Sequence, residues 1–222
     1  MREVVLDTET TGLDPAEGHR IVEVACHELL GHIPTGRVFH RYVNPERDVP
    51  EEARGVHGLS AEFLADHPRF AEIADELLDF IGGDPLVIHN AEFDLAFVNA
   101  ELARLGRGPL GGGHVDTLAL ARARFPGAPA SLDALCRRFE IDLSGRAMHG
   151  AEIDGALLAA VYLELLGGKQ PGLDFAPALA AAGAALARVA RPPRPHEASA
   201  EELAAHEAML AAISEPLWLA AG

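Results

Sequence analysis

Two segments of this chain place a carboxylate where a helix should be apolar. In the segment opening at Glu92, Phe97, Val98, Leu102 and Leu105 follow Asp94 at helical offsets, so Asp94 heads the core-facing stripe. The segment opening at Glu152 repeats the arrangement, with Leu157, Leu158, Val161 and Leu165 behind Asp154. Burying an unpaired carboxylate costs on the order of several kcal/mol, so the fold must bring each one a cation, a metal or a proton. A third acidic feature, Asp7 and Glu9, closes the apolar run Val4-Val5-Leu6. Two residues apart in extended backbone, both side chains point to one face, where a single metal can bridge them.

Each feature alone has an ordinary reading. Asp94 or Asp154 fits a helix cap or dipole partner, and Asp7-Thr8-Glu9 fits a solvated turn. All three at strand ends or helix starts in one chain point to a shared acidic site. His149 lies five residues before Asp154 on a segment entering that helix. A near-neutral imidazole there can take a proton from water, although a solvated surface histidine has the same sequence signature.

The surrounding pattern predicts an α/β fold. Val4–Leu6, residues 21–30 and residues 37–43 read as three strands joined by turns, with residues 7–12 an acidic, threonine-rich turn. A helix follows over 68–81, where Phe70, Ile73, Leu77 and Ile81 keep helical spacing up to Gly82-Gly83-Asp84-Pro85. Leu86-Val87-Ile88 reads as a short buried strand feeding the helix of residues 92–105, and strand followed by helix is the α/β signature. Residues 114–116 read as another short strand. Helices are expected over 117–124, 131–139 with Ser131 as N-cap, and 152–166.

Charge and cysteine usage narrow the class. Eighteen basic against 34 acidic residues leave a formal charge of −16, which opposes stable electrostatic grip on a nucleic-acid duplex. It does not oppose an acidic pocket in which metals cancel charge where a phosphate must sit. Cys26 and Cys136 form no disulfide framework and fit a reducing compartment, so a cytoplasmic location is expected. No run of about eighteen apolar residues spans a membrane. Met1-Arg2-Glu3, leading straight into the first apolar run, does not read as a leader.

Three motifs in order, Asp7-Thr8-Glu9-Thr10-Thr11-Gly12, His89-Asn90-Ala91-Glu92-Phe93-Asp94 and His149-Gly150-Ala151-Glu152-Ile153-Asp154, resemble the DnaQ-like 3′–5′ exonucleases of the DEDDh group. The resemblance spans residues 3 to about 166, includes Ala53-Arg54-Gly55-Val56-His57-Gly58-Leu59, and is most specific toward the epsilon proofreading subunits of bacterial DNA polymerase III. It implies a ribonuclease H-like mixed sheet flanked by helices. It also implies metal carboxylates at Asp7, Glu9, Asp94 and Asp154, a general base at His149, and two divalent ions, Mg2+ or Mn2+. Thr10, Thr11 and Gly12 would cradle the terminal nucleotide of a single-stranded DNA 3′ end. His57 and Leu59 would stack or wedge on that end, Asn90 would order the site or touch the strand, and Arg146 would contact a phosphate, an ordinary turn or solvated arginine being the plainer readings. With few aromatic residues to hold long single strands, the expected enzyme relies on a partner to deliver frayed primer ends.

Beyond a boundary near residue 167 the chain reads as a linker, residues 167–176, and a helical docking tail, 177–222. Gln170, Leu173 and Phe175 match the QxxLxF spacing of sliding-clamp peptides. Ser199-Ala200-Glu201-Glu202 has the form of a capping box ahead of Leu203, Leu210 and Ile213, with Pro216 beyond and Trp218 as a candidate anchor. By resemblance the tail's partner is the polymerase catalytic subunit. An RNA-trimming exonuclease of the same superfamily, or a structural subunit with a vestigial site, are the competing readings.

Overall fold

The computed structural model describes residues 1–145, 148–168 and 197–214. It divides into a first unit, Met1–Leu173, and a second, Asp174–Gly222. Five strands make one mixed sheet in the order β3-β2-β1-β4-β5, where β1 is Arg2–Thr10, β2 Ile21–Leu30, β3 Ile33–Tyr42, β4 Leu86–Ile88 and β5 His114–Asp116. The first three run antiparallel, whereas β4 lies parallel to β1 and β5 parallel to β4. The expected α/β class and mixed, helix-flanked sheet are therefore present.

Central strand β1 organises both faces by its twofold alternation. Val4 and Leu6 point to one core with Ile21, Phe39 and the helices α3 (Phe70–Ile81) and α4 (Ala91–Arg104). Val5 points to the other, against Leu158, Ala159 and Tyr162 of α7 (Ala151–Leu165). A satellite core joins α7 to α5 (Thr117–Arg124) and α6 (Leu132–Arg138) through Ala121, Leu135, Cys136 and Val161. Ser131 caps α6 as expected, its hydroxyl accepting from the Ala134 N–H at 3.3 Å.

Three boundaries differ from the sequence reading. β1 continues to Thr10, so Asp7 and Glu9 lie within the strand and not in a turn, because β2 pairs with that whole length. β3 begins at Ile33, four residues before the expected start. Gly31 and His32, at φ 58° and 69°, make a two-residue hairpin turn, and the Pro34–Gly36 stretch that reads as a break is absorbed as an irregularity of an edge strand. Residues 51–64, to which the sequence reading assigns no element, contain two short helices, α1 (Glu51–His57) and α2 (Ala61–Leu64). Each buries one residue, His57 and Leu64, which leaves no helical periodicity to detect.

In the second unit, the helix Ala200–Ala212 carries the expected capping box: Ser199 accepts from the Glu202 N–H at 3.2 Å and its own N–H donates to Glu202 at 2.8 Å. None of its residues is buried, and Leu203, Met209 and Ile213 are exposed. Gln170, Leu173, Phe175, Pro216 and Trp218, like Arg146, lie outside the described residues. No helix among the described residues is long and apolar enough to cross a membrane. Cys26 and Cys136 are free and buried.

Candidate active site

The site assembles at the Thr10 end of β1. Asp7 and Glu9 share the strand face that looks toward α7, as their i, i+2 spacing requires. Gly150 is the N-cap residue of helix α7, and Asp154 sits in the first turn, only 3% exposed, its N–H donating to the Gly150 carbonyl at 2.9 Å. Helix α4 presents Asp94 from its own first turn, 4% exposed, where the Thr8 hydroxyl donates to Oδ1 at 2.7 Å. His149 is the exposed member: Nδ1 lies 3.4 Å from Asp154 Oδ2, and its backbone N–H donates to the Val56 carbonyl at 3.2 Å, tying the loop to α1.

One ligand atom each from Glu9, His149 and Asp154 falls within a mutual 4.8 Å. The electrostatics point the same way. Burial, then Asp94, Glu9, Asp154 and Glu23, holds the Asp7 carboxyl well above its ordinary range. Asp94 is pushed up to about 7, chiefly by burial and against the opposing bond from Thr8. No arginine or lysine forms an ion pair with Asp7 or Asp94 among the described residues. A cluster of hard oxygen donors with one imidazole, short of positive charge, fits a divalent cation. Asp7, Glu9, Asp94 and Asp154 are the residues that would hold it.

Two cavities open beside this cluster. A cavity of about 490 Å³ is walled by Glu9, Thr10, Gly12, Val56, His57 and Phe93. Thr10 fixes its own turn by donating to the Gly12 carbonyl at 2.6 Å. Gly12 is required sterically, because the His19 ring lies where a β-carbon would go, 2.3 Å from it. The other cavity, about 520 Å³, is lined by Asp7, His89, Asn90, Arg122, His149 and Asp154. Asn90 there adopts φ 68°, a left-handed conformation uncommon outside glycine, with its N–H held by Asp116 Oδ1 at 3.0 Å.

His57 closes α1 and accepts from the Leu59 N–H at 3.0 Å through Nδ1. Its buried Nε2 has no hydrogen-bond partner among the described residues, and burial lowers its pKa. Leu59 does not line the 490 Å³ cavity; it lies in a smaller one of about 230 Å³ with His57, Met148 and His149. The sequence reading gives no role to Glu23 or Arg122, nor to His89 and Phe93 within the second motif. Glu23 is buried directly across from Glu9, a juxtaposition set by hairpin register, and is held by His40 at 2.7 Å.

Comparison with known proteins agrees with this geometry. The exonuclease family model matches residues 4–162. The chain belongs to the exonuclease family. The exonuclease is 55% identical over 174 residues to the DNA polymerase III subunit epsilon of Rickettsia conorii, covering 77% of this chain and 76% of that protein. To the subunit of the same name from Escherichia coli K12 it is 46% identical over 224 aligned positions, covering 94% and 92%. Among solved structures it resembles Exonuclease X in complex with 5′ overhanging duplex DNA, with a TM-score of 0.59 and 26% identity over 74% of this chain and 90% of that one. It shares its fold with the nuclease domain of 3′hExo, a DEDDh family member bound to rAMP, at a TM-score of 0.64 and 17% identity over 74% and 91%. The resemblance carried by the three sequence motifs is thus shown, and with it a metal-dependent nuclease.

Proposed function

We propose that the chain is a 3′–5′ DNA exonuclease that removes misincorporated nucleotides as nucleoside 5′-monophosphates and serves as the proofreading epsilon subunit of DNA polymerase III. The observation that carries this is the grouping of Glu9, His149 and Asp154, with Asp7 lining the same cavity as His149 and Asp154 and Asp94 raising the Asp7 carboxyl, beside two open cavities. The names of the relatives support the polymerase assignment. Two divalent ions, Mg2+ or Mn2+, would supply Lewis-acid stabilisation of the scissile phosphate and of the departing 3′ oxygen.

The protein's own residues supply the rest. The cavity bounded by Thr10, Gly12, His57 and Phe93 receives the terminal nucleotide and presents its 5′ phosphate to the carboxylates. His149 takes the proton from the attacking water, and Asp154, 3.4 Å from Nδ1, stabilises the imidazolium that forms. Water adds to phosphorus, the 3′ oxygen of the penultimate nucleotide leaves, and a 5′-monophosphate is released. A mispaired end melts more readily, so it reaches the site more often.

Sequence alone supports the docking roles of residues 170–175, toward a sliding clamp, and 177–222, toward the polymerase catalytic subunit. A cytoplasmic location rests on the two free cysteines and the polymerase names of the relatives.

The test is gel-resolved digestion of a 5′-labelled primer, paired or 3′-mismatched, with magnesium and then with EDTA. A ladder shortening from the 3′ end is expected, faster on the mismatch and lost in EDTA. His149→Ala should slow it by about 10²- to 10⁴-fold. A wild-type protein that shortens neither primer, with or without polymerase, overturns the proposal, and a strong preference for the matched RNA strand reassigns the substrate.

A further inference from the structure

The two cavities divide the site's surroundings unequally. Two residues from one face of β1 wall them, Glu9 the first and Asp7 the second, so the carboxylates stand at their junction. Each falls in the volume range of small-ligand sites, room for about one nucleotide. With the terminal nucleotide in the first, the second, a groove lined by Asp7 and Asp154 and more than twice the volume of the cavity beside Leu59, offers the strand a path out.

A chain of net charge −16 repels that strand, so the groove needs a compensating cation. Among the described residues, Arg122 is the only arginine or lysine in its lining. It projects one turn beyond Leu118 on the exposed side of α5, whose opposite side is anchored by buried Thr117 and Ala121. The Thr117 hydroxyl donates to the Ile88 carbonyl at 3.2 Å and lies 2.9 Å from His89 Nδ1, fixing α5 to the end of β4 and to the groove wall.

Four other arginines of this acidic protein are held by carboxylates. Arg2, Arg20, Arg37 and Arg107 each lie within 2.7 Å of a carboxylate oxygen. Arg122 has no hydrogen bond, ion pair or ring contact among the described residues. Its neighbour His89 does not share the work, because burial lowers the imidazole's pKa and Arg122 itself adds to that effect. The guanidinium is thus a permanent charge with open donors, held at the groove by a helix and facing the path of a polyanion.

We infer that Arg122 binds the next phosphate of the strand, on the 5′ side of the penultimate nucleotide, and so gives the exonuclease a second phosphate subsite. The inference rests on the exonuclease reading and adds a residue that the sequence motifs do not contain. Phosphate contacts of this kind set register without reading sequence, as a proofreading enzyme requires.

Two minimal substrates isolate the contact: the dinucleotide dTpdT, and pdTpdT, which differs only by a 5′ phosphate. In the wild type the added phosphate should lower KM by about tenfold with little change in kcat, as expected of one charge-assisted contact. In Arg122→Ala the ratio of the two KM values should fall to near one. Arg122→Lys, which keeps the charge and loses the fork, should restore part of it. On a longer single strand the salt dependence of log KM should weaken by about 0.7 in Arg122→Ala, one phosphate's share. Equal KM values for both dinucleotides in the wild type, or an unchanged ratio in Arg122→Ala, overturn the subsite while leaving the exonuclease standing. No cleavage of either dinucleotide or of the labelled primer overturns both.

Discussion

The two ends of β1 solve the same electrostatic problem in opposite ways. At its start every buried charge has a partner: Arg2 reaches Glu28 at 2.7 Å and Asp84 at 2.5 Å, and donates to the carbonyls of Phe80 and Ile81. Glu3, 1% exposed, accepts from the Tyr162 hydroxyl at 2.7 Å and lies 2.6 Å from His32 Nδ1. Four residues further along the same face, Asp7 meets Asp94, Glu9, Asp154 and Glu23 instead. Strand, face and helix α7 are shared, so secondary structure does not explain the difference. The matched end ties β1 to α3 and α7. The other end is held in charge imbalance by a scaffold that gains nothing from it in stability, which is what a cation-binding catalytic centre requires.

The comparison breaks most directly at Asp7. Asp7→Asn removes one of the crowded charges and one donor, and should lower the rate of primer digestion by at least about 10³-fold. The same change should raise the unfolding midpoint of the metal-free protein, because it relieves like-charge repulsion. Circular dichroism melts in EDTA, run beside the digestion assay, check both halves. A variant that loses activity and stability together would show Asp7 to be structural.

At the matched end the expectation reverses. Tyr162→Phe deletes the hydroxyl that donates to buried Glu3 and should cost about 1.5–3 kcal/mol, the range for a hydrogen bond to a charged group. In a domain of this size that lowers the melting temperature by several degrees. Steady-state rates below the transition should match the wild type. A tenfold fall in kcat would mean that the two ends are coupled through α7 and are not separate devices.

How far each end can be read from sequence follows from the same physics. Asp94 and Asp154 stand out because helical periodicity makes a carboxylate on an apolar stripe conspicuous, and Asp7 with Glu9 because strand spacing puts both on one face. Glu23 does not stand out. Its place across from Glu9 is decided by the register of β1 against β2, set across the long connection of residues 11–20 with an irregularity between Glu9 and Thr10, which no local pattern announces. Arg122 is equally silent, since its neighbours in the groove come from β1, the β4–α4 junction and α7. The chain therefore displays its catalytic carboxylates as local patterns, whereas the residues that would steer substrate appear only when distant elements pack.

The most discriminating measurement is a pH dependence. Asp94 ordinarily titrates at 3.8 and is held up to about 7 in the folded, metal-free protein. Between those values the folded state binds more protons than the unfolded one, so stability is greatest below about pH 4 for this group and falls as pH rises through 7. The slope is at most about 1.4 kcal/mol per pH unit for one proton. Urea unfolding in EDTA from pH 5 to 8 should show that decline in the wild type and a shallower one in Asp94→Asn, which still accepts from Thr8 through its amide oxygen. Saturating magnesium should flatten the wild-type slope too, because a bound cation favours the ionised carboxylate in the folded state. Were the slope the same in Asp94→Asn and wild type, the extra proton would reside on Asp7, and the charge imbalance would lie in the strand alone and not be shared between β1 and α4.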